Sequence, residues 1–250
     1  MTKFTAVIPA RYASTRFPGK PLIDIAGKTM IQRVYEQVLK AGIDEVYVAT
    51  DHQAIAEHVN HFGGRFLMTS ETHQSGTDRC NECASLLKLD DNDVMINIQG
   101  DEPFIKPSQI SLLCGLFEES ATEIGTLIKK VAPTNELQQP TIPKVVLNKH
   151  GEAIYFSRSV IPYPAKKSVE ELLASGIYYK HIGIYAYRIN ILKQIASLSP
   201  SLLEQTESLE QLRWIENGYA IKTALTNEES IAIDTPDDLT KALHFLHQNS

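Results

Sequence analysis

Residues 8–22 read Ile8-Pro9-Ala10-Arg11-Tyr12-Ala13-Ser14-Thr15-Arg16-Phe17-Pro18-Gly19-Lys20-Pro21-Leu22. The apolar run before them predicts a buried first strand, after which three cations, Arg11, Arg16 and Lys20, follow in close succession. Successive backbone N–H groups in such a turn bind anions, and guanidinium groups match phosphate oxygens in pairs. The loop follows a strand, where α/β sheets bind ligands, although its spacing matches neither the P-loop nor the dinucleotide fingerprint. We therefore predict a triphosphate site here, with a solvated basic loop as the alternative.

The composition of the chain restricts the class of protein. With 43% hydrophobic residues in 250, the chain can bury a full core. Its net charge of −6 argues against a nucleic-acid polymer as partner, although local cations can still bind a nucleotide. No apolar stretch is long enough to span a membrane. No signal-peptide pattern precedes the first strand, and three cysteines fit a reducing compartment, so we expect a cytoplasmic protein.

Strand and helix patterns alternate along the first third of the chain and predict an α/β fold with a mostly parallel, doubly wound sheet. The predicted strands are 4–8, 46–49, 65–68, 94–98, 124–131, 144–147, 153–156, 181–187 and 220–225. The predicted helices are 29–41, 52–62, 80–87, 107–118, 200–218 and a last helix capped by Thr235 and Asp238. We interpret 161–176 as linker-like and 1–250 as a single domain, in which about 130–190 forms a smaller lobe.

Two aspartates are candidate metal ligands. Asp101 follows the apolar strand 94–98, after Gly100, which we expect to allow a sharp backbone turn. Asp234 has an equivalent position after the apolar run 231–233 and before a helix. The carboxyl ends of strands line the ligand crevice of an open sheet, and Mg²⁺ uses one or two carboxylates together with substrate phosphates. We predict that both residues bind Mg²⁺; for Asp234 the alternative is a polar strand end.

Polar residues in the loop 73–79 are candidate nucleotide contacts. Ser75, Thr77 and backbone groups can bind a base, and Arg79 can lie near the sugar or a phosphate. The alternative is that these residues only form a turn and a helix cap, in which the same residue types are common. Asp51, at the end of the second main strand, is predicted to cap the helix that follows it.

Residues of the second half are candidates for binding an acidic sugar. Arg158 ends a strand and can bind a carboxylate. His181 and Tyr185 lie four residues apart on a strand and therefore face the same side, where they either bind hydroxyls or form a half-buried surface. Glu210 and Gln211 either bind hydroxyls or belong to a solvated helix surface.

The chain resembles the 3-deoxy-manno-octulosonate cytidylyltransferases, also called CMP-KDO synthetases. The motifs that carry the resemblance follow in the family order: the loop 11–16, Val48-Ala49-Thr50-Asp51, Ser75-Gly76-Thr77-Asp78-Arg79, Asn97-Ile98-Gln99-Gly100-Asp101-Glu102-Pro103, Lys144-Val145-Val146, Tyr155-Phe156-Ser157-Arg158, His181-Ile182-Gly183-Ile184-Tyr185, Leu209-Glu210-Gln211-Leu212-Arg213 and Asp234-Thr235-Pro236. The resemblance implies a Rossmann-like nucleotide-diphospho-sugar transferase fold, a mostly parallel mixed sheet flanked by helices, with a smaller lobe through which a homodimer forms. It also implies Mg²⁺ dependence and a role in bacterial lipopolysaccharide biosynthesis.

The resemblance further implies a reaction and the roles of individual residues. The anomeric hydroxyl of the sugar acid (KDO) would attack the α-phosphate of CTP in line, and pyrophosphate would leave. The implied nucleotide-binding residues are Ala10, Arg11, Ser14, Arg16, Lys20, Ser75, Gly76, Arg79 and Gln99. The implied sugar-binding residues are Gln99, Arg158, His181, Tyr185, Glu210 and Gln211. Arg11, Lys20 and Asp101 are the catalytic candidates, and Asp101 and Asp234 the metal ligands.

Some positions depart from the family pattern and leave alternatives open. Thr141-Ile142-Pro143 replaces the usual Asn-Ala-Val, and the connection 162–180 matches no motif. An 8-amino analogue of KDO or another acidic sugar remains a possible acceptor. A GT-A-type glycosyltransferase would carry an Asp-x-Asp pair, of which Gly100-Asp101-Glu102 is a poor version. A non-catalytic nucleotide-binding regulator would lack the two metal carboxylates, and both are present.

Overall fold

The structure is a computed structural model that describes residues 2–13, 17–43, 45–132, 134–229 and 232–248. The chain divides into two compact units, Met1–Ser111 with Glu229–Ser250, and Leu112–Glu228. The interpretation as one domain with a lobe at about 130–190 stays a prediction. In the part of the chain that is described, every helix is too short or too polar to cross a lipid bilayer.

Strands and helices alternate through most of the chain. The strands are β1 (Phe4–Ala10), β2 (Asp24–Ile25), β3 (Lys28–Thr29), β4 (Glu45–Thr50), β5 (Phe66–Met68), β6 (Val94–Asn97), β7 (Ile124–Lys130), β8 (Lys144–Leu147), β9 (Ala153–Ser157), β10 (Tyr179–Arg188) and β11 (Ile221–Leu225). The helices are α1 (Met30–Lys40), α2 (Gln53–His61), α3 (Gly76–Leu86), α4 (Pro107–Gly115), α5 (Thr134–Leu137), α6 (Val169–Ala174), α7 (Ile189–Ala196), α8 (Leu202–Glu207), α9 (Gln211–Glu216) and α10 (Pro236–Gln248).

The first unit contains a parallel sheet. β1 pairs in parallel with both β4 and β6, and β4 pairs in parallel with β5, so the order is β6-β1-β4-β5. The strands β6, β1 and β4 are largely buried because helices α1, α2 and α3 contact them, and Val7, Val48 and Ile96 have no exposed surface, whereas the edge strand β5 is partly exposed. The predicted α/β class and the parallel arrangement of the first strands are therefore confirmed.

The second unit contains a mixed sheet. β7 pairs in parallel with β11 and antiparallel with β10, and β8 pairs antiparallel with β10 and β9. The register of β10 against β7 shifts between Ile182 and Tyr185, which marks a bulge. The strands of the first unit's sheet are therefore all parallel, and those of the second unit are mixed.

Two predicted segments differ from the structure. The predicted helix 200–218 is divided into α8 and α9, because Ser208 adopts a left-handed conformation (φ 52°) and ends α8. The linker-like segment 161–176 contains helix α6, whose start is fixed by a capping box between Ser168 and Glu171. The proline and charge pattern of that segment concealed one short helical turn that buries none of its side chains.

Candidate active site

Lys20 and two aspartates form a charged cluster in the first unit. Lys20 begins a short 3₁₀ turn after the first loop, and its Nζ lies 2.8 Å from Asp101 Oδ2 and 3.0 Å from Asp234 Oδ1. Burial by itself would lower the pKa of Lys20, but the charges of Asp101 and Asp234 and their hydrogen bonds outweigh it and raise the pKa. Lys20 is therefore a fixed cation at neutral pH, and both predicted metal ligands meet at its ammonium.

A backbone hydrogen bond brings Asp234 to this cluster. The N–H of Ile233 donates to the carbonyl of Asp101 at 2.9 Å, and the Ile233 side chain is buried against Ile25, Met30 and Phe104. Residues 232–233 are not part of a strand, and Ile231 lies outside the described residues. The hydrogen bond of Ile233, and not the end of a strand, therefore positions Asp234.

The start of α10 fixes Asp234 from the other side. The Asp238 carboxylate accepts hydrogen bonds from the backbone N–H groups of Asp234 (3.2 Å) and Thr235 (3.0 Å). The Thr235 hydroxyl in turn accepts from the Asp238 N–H at 3.3 Å. This confirms the predicted cap of the last helix, which begins at Pro236.

A glycine is required at position 100 by close packing, and not by the sharp backbone turn that we expected. Its φ lies outside the left-handed region, but a Cβ at this position would be only 2.6 Å from the carbonyl oxygen of Pro9. The absence of a side chain therefore allows the segment after β6 to approach the end of β1. Asp101 is thereby held next to the start of the first loop.

The donor set fits a magnesium ion that is shared with a phosphate ligand. Two carboxylates converge on one point, and within the described ranges no group of three or more His, Cys, Asp or Glu side chains could hold a metal ion alone. Mg²⁺ commonly uses one or two carboxylates and completes its octahedron with water and substrate phosphates. The Mg²⁺ assignment itself stays a prediction.

The first loop is held at both of its ends. Ala10 is buried at the end of β1, and the next residue, Arg11, donates a hydrogen bond from its guanidinium to the His73 carbonyl. The Tyr12 ring stacks on His52 with centroids 4.0 Å apart and an interplanar angle of 12°. The Gly19 N–H donates to the Tyr12 carbonyl at 3.0 Å and closes the loop. The predicted nucleotide contacts Ser14 and Arg16 lie outside the described residues.

The loop 73–79 forms the start of α3. Ser75 is the N-cap and accepts a hydrogen bond from the Asp78 N–H at 3.1 Å, while the Asp78 carboxylate accepts from the Ser75 N–H. Gly76 is the first helical residue, and a Cβ there would be 3.3 Å from the side-chain amide of Asn97 on β6. Gln99 is half-buried two residues after β6. Ser75, Gly76 and Gln99 thus flank the strand that leads to Asp101.

Arg79 is fully buried and bonded within the protein. Its Nη2 lies 2.7 Å from Asp51 Oδ2, and its Nη1 donates to the Thr69 hydroxyl. The prediction that Asp51 caps α2 is wrong, because the His52 side chain is the cap and Asp51 is engaged by Arg79. In this conformation Arg79 presents no exposed surface to a ligand, so its nucleotide contact stays a prediction.

Arg158 in the second unit has most of its donors occupied. Nε donates to the Glu207 carbonyl (2.7 Å), Nη1 to the Pro140 carbonyl (2.9 Å) and Nη2 to the Ser208 carbonyl (3.1 Å). A guanidinium has five N–H groups, so one remains on each terminal nitrogen. Two N–H groups are what a carboxylate needs, and the predicted carboxylate contact is chemically compatible with this arrangement.

His181 and Tyr185 belong to an aromatic cluster. Their ring centroids are 5.2 Å apart, and further ring contacts join His181 to Phe156 and Tyr185 to Trp214. Burial lowers the pKa of His181 to about 3, so the ring is neutral at physiological pH, with Nε2 3.0 Å from the Thr126 hydroxyl. Burial also raises the pKa of Tyr185. The prediction that these two residues share one side of the strand is confirmed.

Glu210 and Gln211 lie at the start of α9. Glu210 is the N-cap residue without a side-chain capping bond. Gln211 is buried, and its Nε2 has no hydrogen-bond partner among the residues that the structure describes. A buried amide donor of this kind favours a polar ligand over the alternative of a solvated helix surface.

Sequence reasoning missed residues that support these side chains. It gave no role to Glu207, to Tyr12 or to His52, because neither spacing nor residue type distinguishes them from surface residues. Lys144 was noticed only within a motif. The turn at 148–151 predicts a hairpin of β8 and β9, which the structure confirms, but the burial of Lys144 and its contact with the Arg158 carbonyl depend on the register of that hairpin.

Comparison with known proteins defines the class of enzyme. The sequence profile of the family described as Cytidylyltransferase matches residues 5–230. The chain is 55% identical over 250 residues to the 3-deoxy-manno-octulosonate cytidylyltransferase of Parabacteroides distasonis, covering 98% of this chain and 99% of that protein. For the protein of the same name from Bacteroides thetaiotaomicron, the identity is 54% over 252 residues, 99% of this chain and 100% of the relative.

A solved structure of CMP:2-keto-3-deoxy-manno-octonic acid synthetase complexed with CTP aligns with 100% of both chains, with 43% identity and a TM-score of 0.91. The chain therefore belongs to the cytidylyltransferase family. Within that family it belongs with the 3-deoxy-manno-octulosonate cytidylyltransferases. The resemblance seen in the sequence, the predicted fold and the cytidylyltransferase activity are confirmed, and the glycosyltransferase alternative is not supported.

Proposed function

We propose that the chain transfers CMP from CTP to 3-deoxy-manno-octulosonate and releases pyrophosphate, in a Mg²⁺-dependent step of bacterial lipopolysaccharide biosynthesis. The observation that carries the proposal is the cluster in which Lys20 is bonded to both Asp101 and Asp234. Nucleotidyl transfer depends mainly on positioning and on charge stabilisation. A permanent cation beside two carboxylates at a strand end is suited to a metal-bound triphosphate.

The residues of the first unit would bind and orient the triphosphate. Lys20 keeps its charge because its pKa is raised, and Arg11 is held by its hydrogen bond to the His73 carbonyl. Asp101 and Asp234 would hold Mg²⁺, which polarises phosphoryl oxygens when bound. Ser75, Gly76 and Gln99 would place the cytidine.

The residues of the second unit would bind the acceptor. Arg158 would use its two remaining N–H groups for the sugar carboxylate. His181 is neutral, so it can exchange hydrogen bonds with hydroxyls without placing a charge beside the reacting groups. Tyr185, Glu210 and Gln211 would bind further hydroxyls.

Two further properties are proposed for the protein in the cell. No disulfide joins Cys80, Cys83 or Cys114 within the described residues, which supports a cytoplasmic location. A homodimer is proposed from the family resemblance and is tested by light scattering of the purified protein. A monomer mass at assay concentration would reject the dimer without affecting the proposed reaction.

The proposal is tested by pyrophosphate release from purified protein with each of the four nucleoside triphosphates. Each is assayed with Mg²⁺ or with EDTA, and with 3-deoxy-manno-octulosonate, its 8-amino analogue or a sialic acid as acceptor. Release only with CTP, Mg²⁺ and 3-deoxy-manno-octulosonate is the expected result. Preference for the 8-amino analogue would change the acceptor and keep the reaction. Activity that persists in EDTA would reject the metal requirement.

A further inference from the structure

Glu207, the last residue of α8, is bonded to the end of β9. Its Oε1 accepts a hydrogen bond from the Ser157 hydroxyl at 2.6 Å, and its Oε2 accepts from the backbone N–H of Arg158 at 2.9 Å. Hydrogen bonds to an ionised acceptor are the stronger ones in proteins. The Glu207 carboxylate therefore fixes the backbone at Arg158.

The Arg158 side chain returns to the same end of α8. Its guanidinium donates to the backbone carbonyls of Glu207 and Ser208, where the helix has ended and its last carbonyls lack intrahelical partners. Glu207 thus contacts Arg158 twice, through its carboxylate at the backbone and through its carbonyl at the guanidinium. Few rotamers of Arg158 satisfy both contacts together.

Lys144 completes this arrangement from β8. Its Nζ donates to the carbonyls of Gln139 (2.9 Å), Ile142 (2.7 Å) and Arg158 (2.6 Å), which accounts for all three ammonium protons. Burial and the nearby charge of Arg158 lower the pKa of Lys144, and Glu207 opposes this. We call Lys144, Ser157, Arg158 and Glu207 the Arg158 junction. Two cations face one carboxylate in the junction, and that surplus of positive charge favours an anionic ligand.

We propose that Glu207 is a positioning residue for recognition of the acceptor's carboxylate, acting through Arg158. This inference rests on the proposed function, in which Arg158 binds that carboxylate. Glu207 orients the two remaining guanidinium N–H groups and does not itself touch the substrate. Removing its charge leaves Arg158 present but free to adopt other rotamers.

The test compares Glu207→Gln with Glu204→Gln on the same helix. Glu204 forms its own ion pair with Arg213, at 2.6 Å, and has no bond to Arg158, so its variant controls for damage to α8. In Glu207→Gln one acceptor oxygen becomes an NH₂ group that must face a donor. We expect the KM for the sugar acid to rise about tenfold or more, because a mispositioned binding group loses its favourable geometry. The KM for CTP stays within about twofold, and Glu204→Gln changes neither constant.

Further variants separate a positioning role from a structural one. Ser157→Ala removes one hydrogen bond to the Glu207 carboxylate and is expected to raise the KM for the sugar acid by a smaller factor. In an Arg158→Ala background, Glu207→Gln is expected to have no additional effect on that KM, because it acts through Arg158. Three results would overturn the proposal. The first is a further rise in the KM for the sugar acid when Glu207→Gln is added to Arg158→Ala. The others are an unchanged KM in folded Glu207→Gln, or equal rises in the KM for CTP and the KM for the sugar acid.

A measurement without substrate distinguishes failure of this inference from failure of the proposed reaction. The Arg158 Nε–H resonance, assigned from its loss in Arg158→Lys, should exchange slowly with solvent in the wild type and in Glu204→Gln. It should broaden or exchange rapidly in Glu207→Gln. If wild-type protein does not use 3-deoxy-manno-octulosonate, the reaction is wrong; if the resonance is unaffected by Glu207→Gln, the positioning role is wrong.

Discussion

The backbone N–H of Ile233 donates a 2.9 Å hydrogen bond to the carbonyl of Asp101. This bond joins two distant parts of the chain and places two carboxylates against Lys20, that of Asp101 itself and that of Asp234, the residue after Ile233. The two candidate metal ligands are therefore arranged by main-chain geometry, which a side-chain substitution at either aspartate leaves in place.

Asp101→Asn is expected to keep the fold and CTP binding but to lose turnover by about two orders of magnitude, because the metal loses a charged ligand. Steady-state pyrophosphate release across a Mg²⁺ titration measures the loss, and CTP-dependent thermal stabilisation monitors binding. Asp237→Asn, which alters an exposed carboxylate at the start of α10, is the matched control. Wild-type turnover of Asp101→Asn at limiting Mg²⁺ would reject the metal assignment.

Lys20→Met is expected to make the protein's stability dependent on Mg²⁺. Without the ammonium, the carboxylates of Asp101 and Asp234 lose the cation that they share, at a cost of about 1–2 kcal/mol in the free energy of unfolding. Urea denaturation in EDTA should show this loss, and Mg²⁺ should reverse it. The double variant Lys20→Met/Asp101→Asn should respond to Mg²⁺ much less. If Mg²⁺ stabilises both variants equally, the ion binds elsewhere.

Arg79→Met is expected to lower the free energy of unfolding by roughly 3–5 kcal/mol, because the Asp51 carboxylate loses its guanidinium partner in a largely buried site. Adding Asp51→Asn should recover part of the loss, which denaturation of the single and double variants measures. A folded Arg79→Met of normal stability that no longer gains thermal stability from CTP would instead support a direct nucleotide contact.

His181→Gln is expected to make the protein less sensitive to acid. Burial lowers the pKa of His181 in the folded state to about 3 from 6.5, so at intermediate pH the unfolded chain binds one more proton. The resulting stability is fully present above pH 6.5 and is lost as the pH falls toward 3, by at most about 1.4 kcal/mol per pH unit. Denaturation between about pH 4 and 7 should give a shallower slope for His181→Gln than for the wild type. An unchanged slope, matching that of the exposed-residue control His61→Gln, would show that His181 does not stay neutral in the folded protein.

Local signals in the sequence predicted most of the fold of the first unit. Helix α1 follows Thr29, which caps it. Of its predicted apolar face, Ile31, Val34, Tyr35 and Val38 are buried, whereas Leu39 is exposed. Apolar periodicity and helix capping involve residues within one or two helical turns of each other, so a single sequence is sufficient to predict them. The left-handed residue Ser208 has no such signature, and the division between α8 and α9 was therefore not predicted.

The candidate site was predictable where a residue follows a strand and unpredictable where two distant segments meet. Asp101 follows the fully buried β6, and the apolar run of that strand is visible in the sequence, so the position of Asp101 after a strand could be predicted. Asp51 could be recognised as a potential cap, but its partner Arg79 is 28 residues away and on another element. Glu207 contacts Arg158 only through tertiary packing between α8 and the end of β9, and local patterns contain no information about that.

The missing side chain at Gly100 limits how this region can vary. Any substitution there would force a Cβ against the Pro9 carbonyl and separate the ends of β1 and β6. The first loop and Asp101 follow those two strand ends, so a single methyl group would separate the loop proposed to bind phosphate from the carboxylate proposed to bind metal. In a library of random variants, position 100 should therefore tolerate no replacement even where the surrounding loop residues vary. Substitutions can change the side chains that follow β1 or β6, but they cannot change the distance between the ends of these two strands.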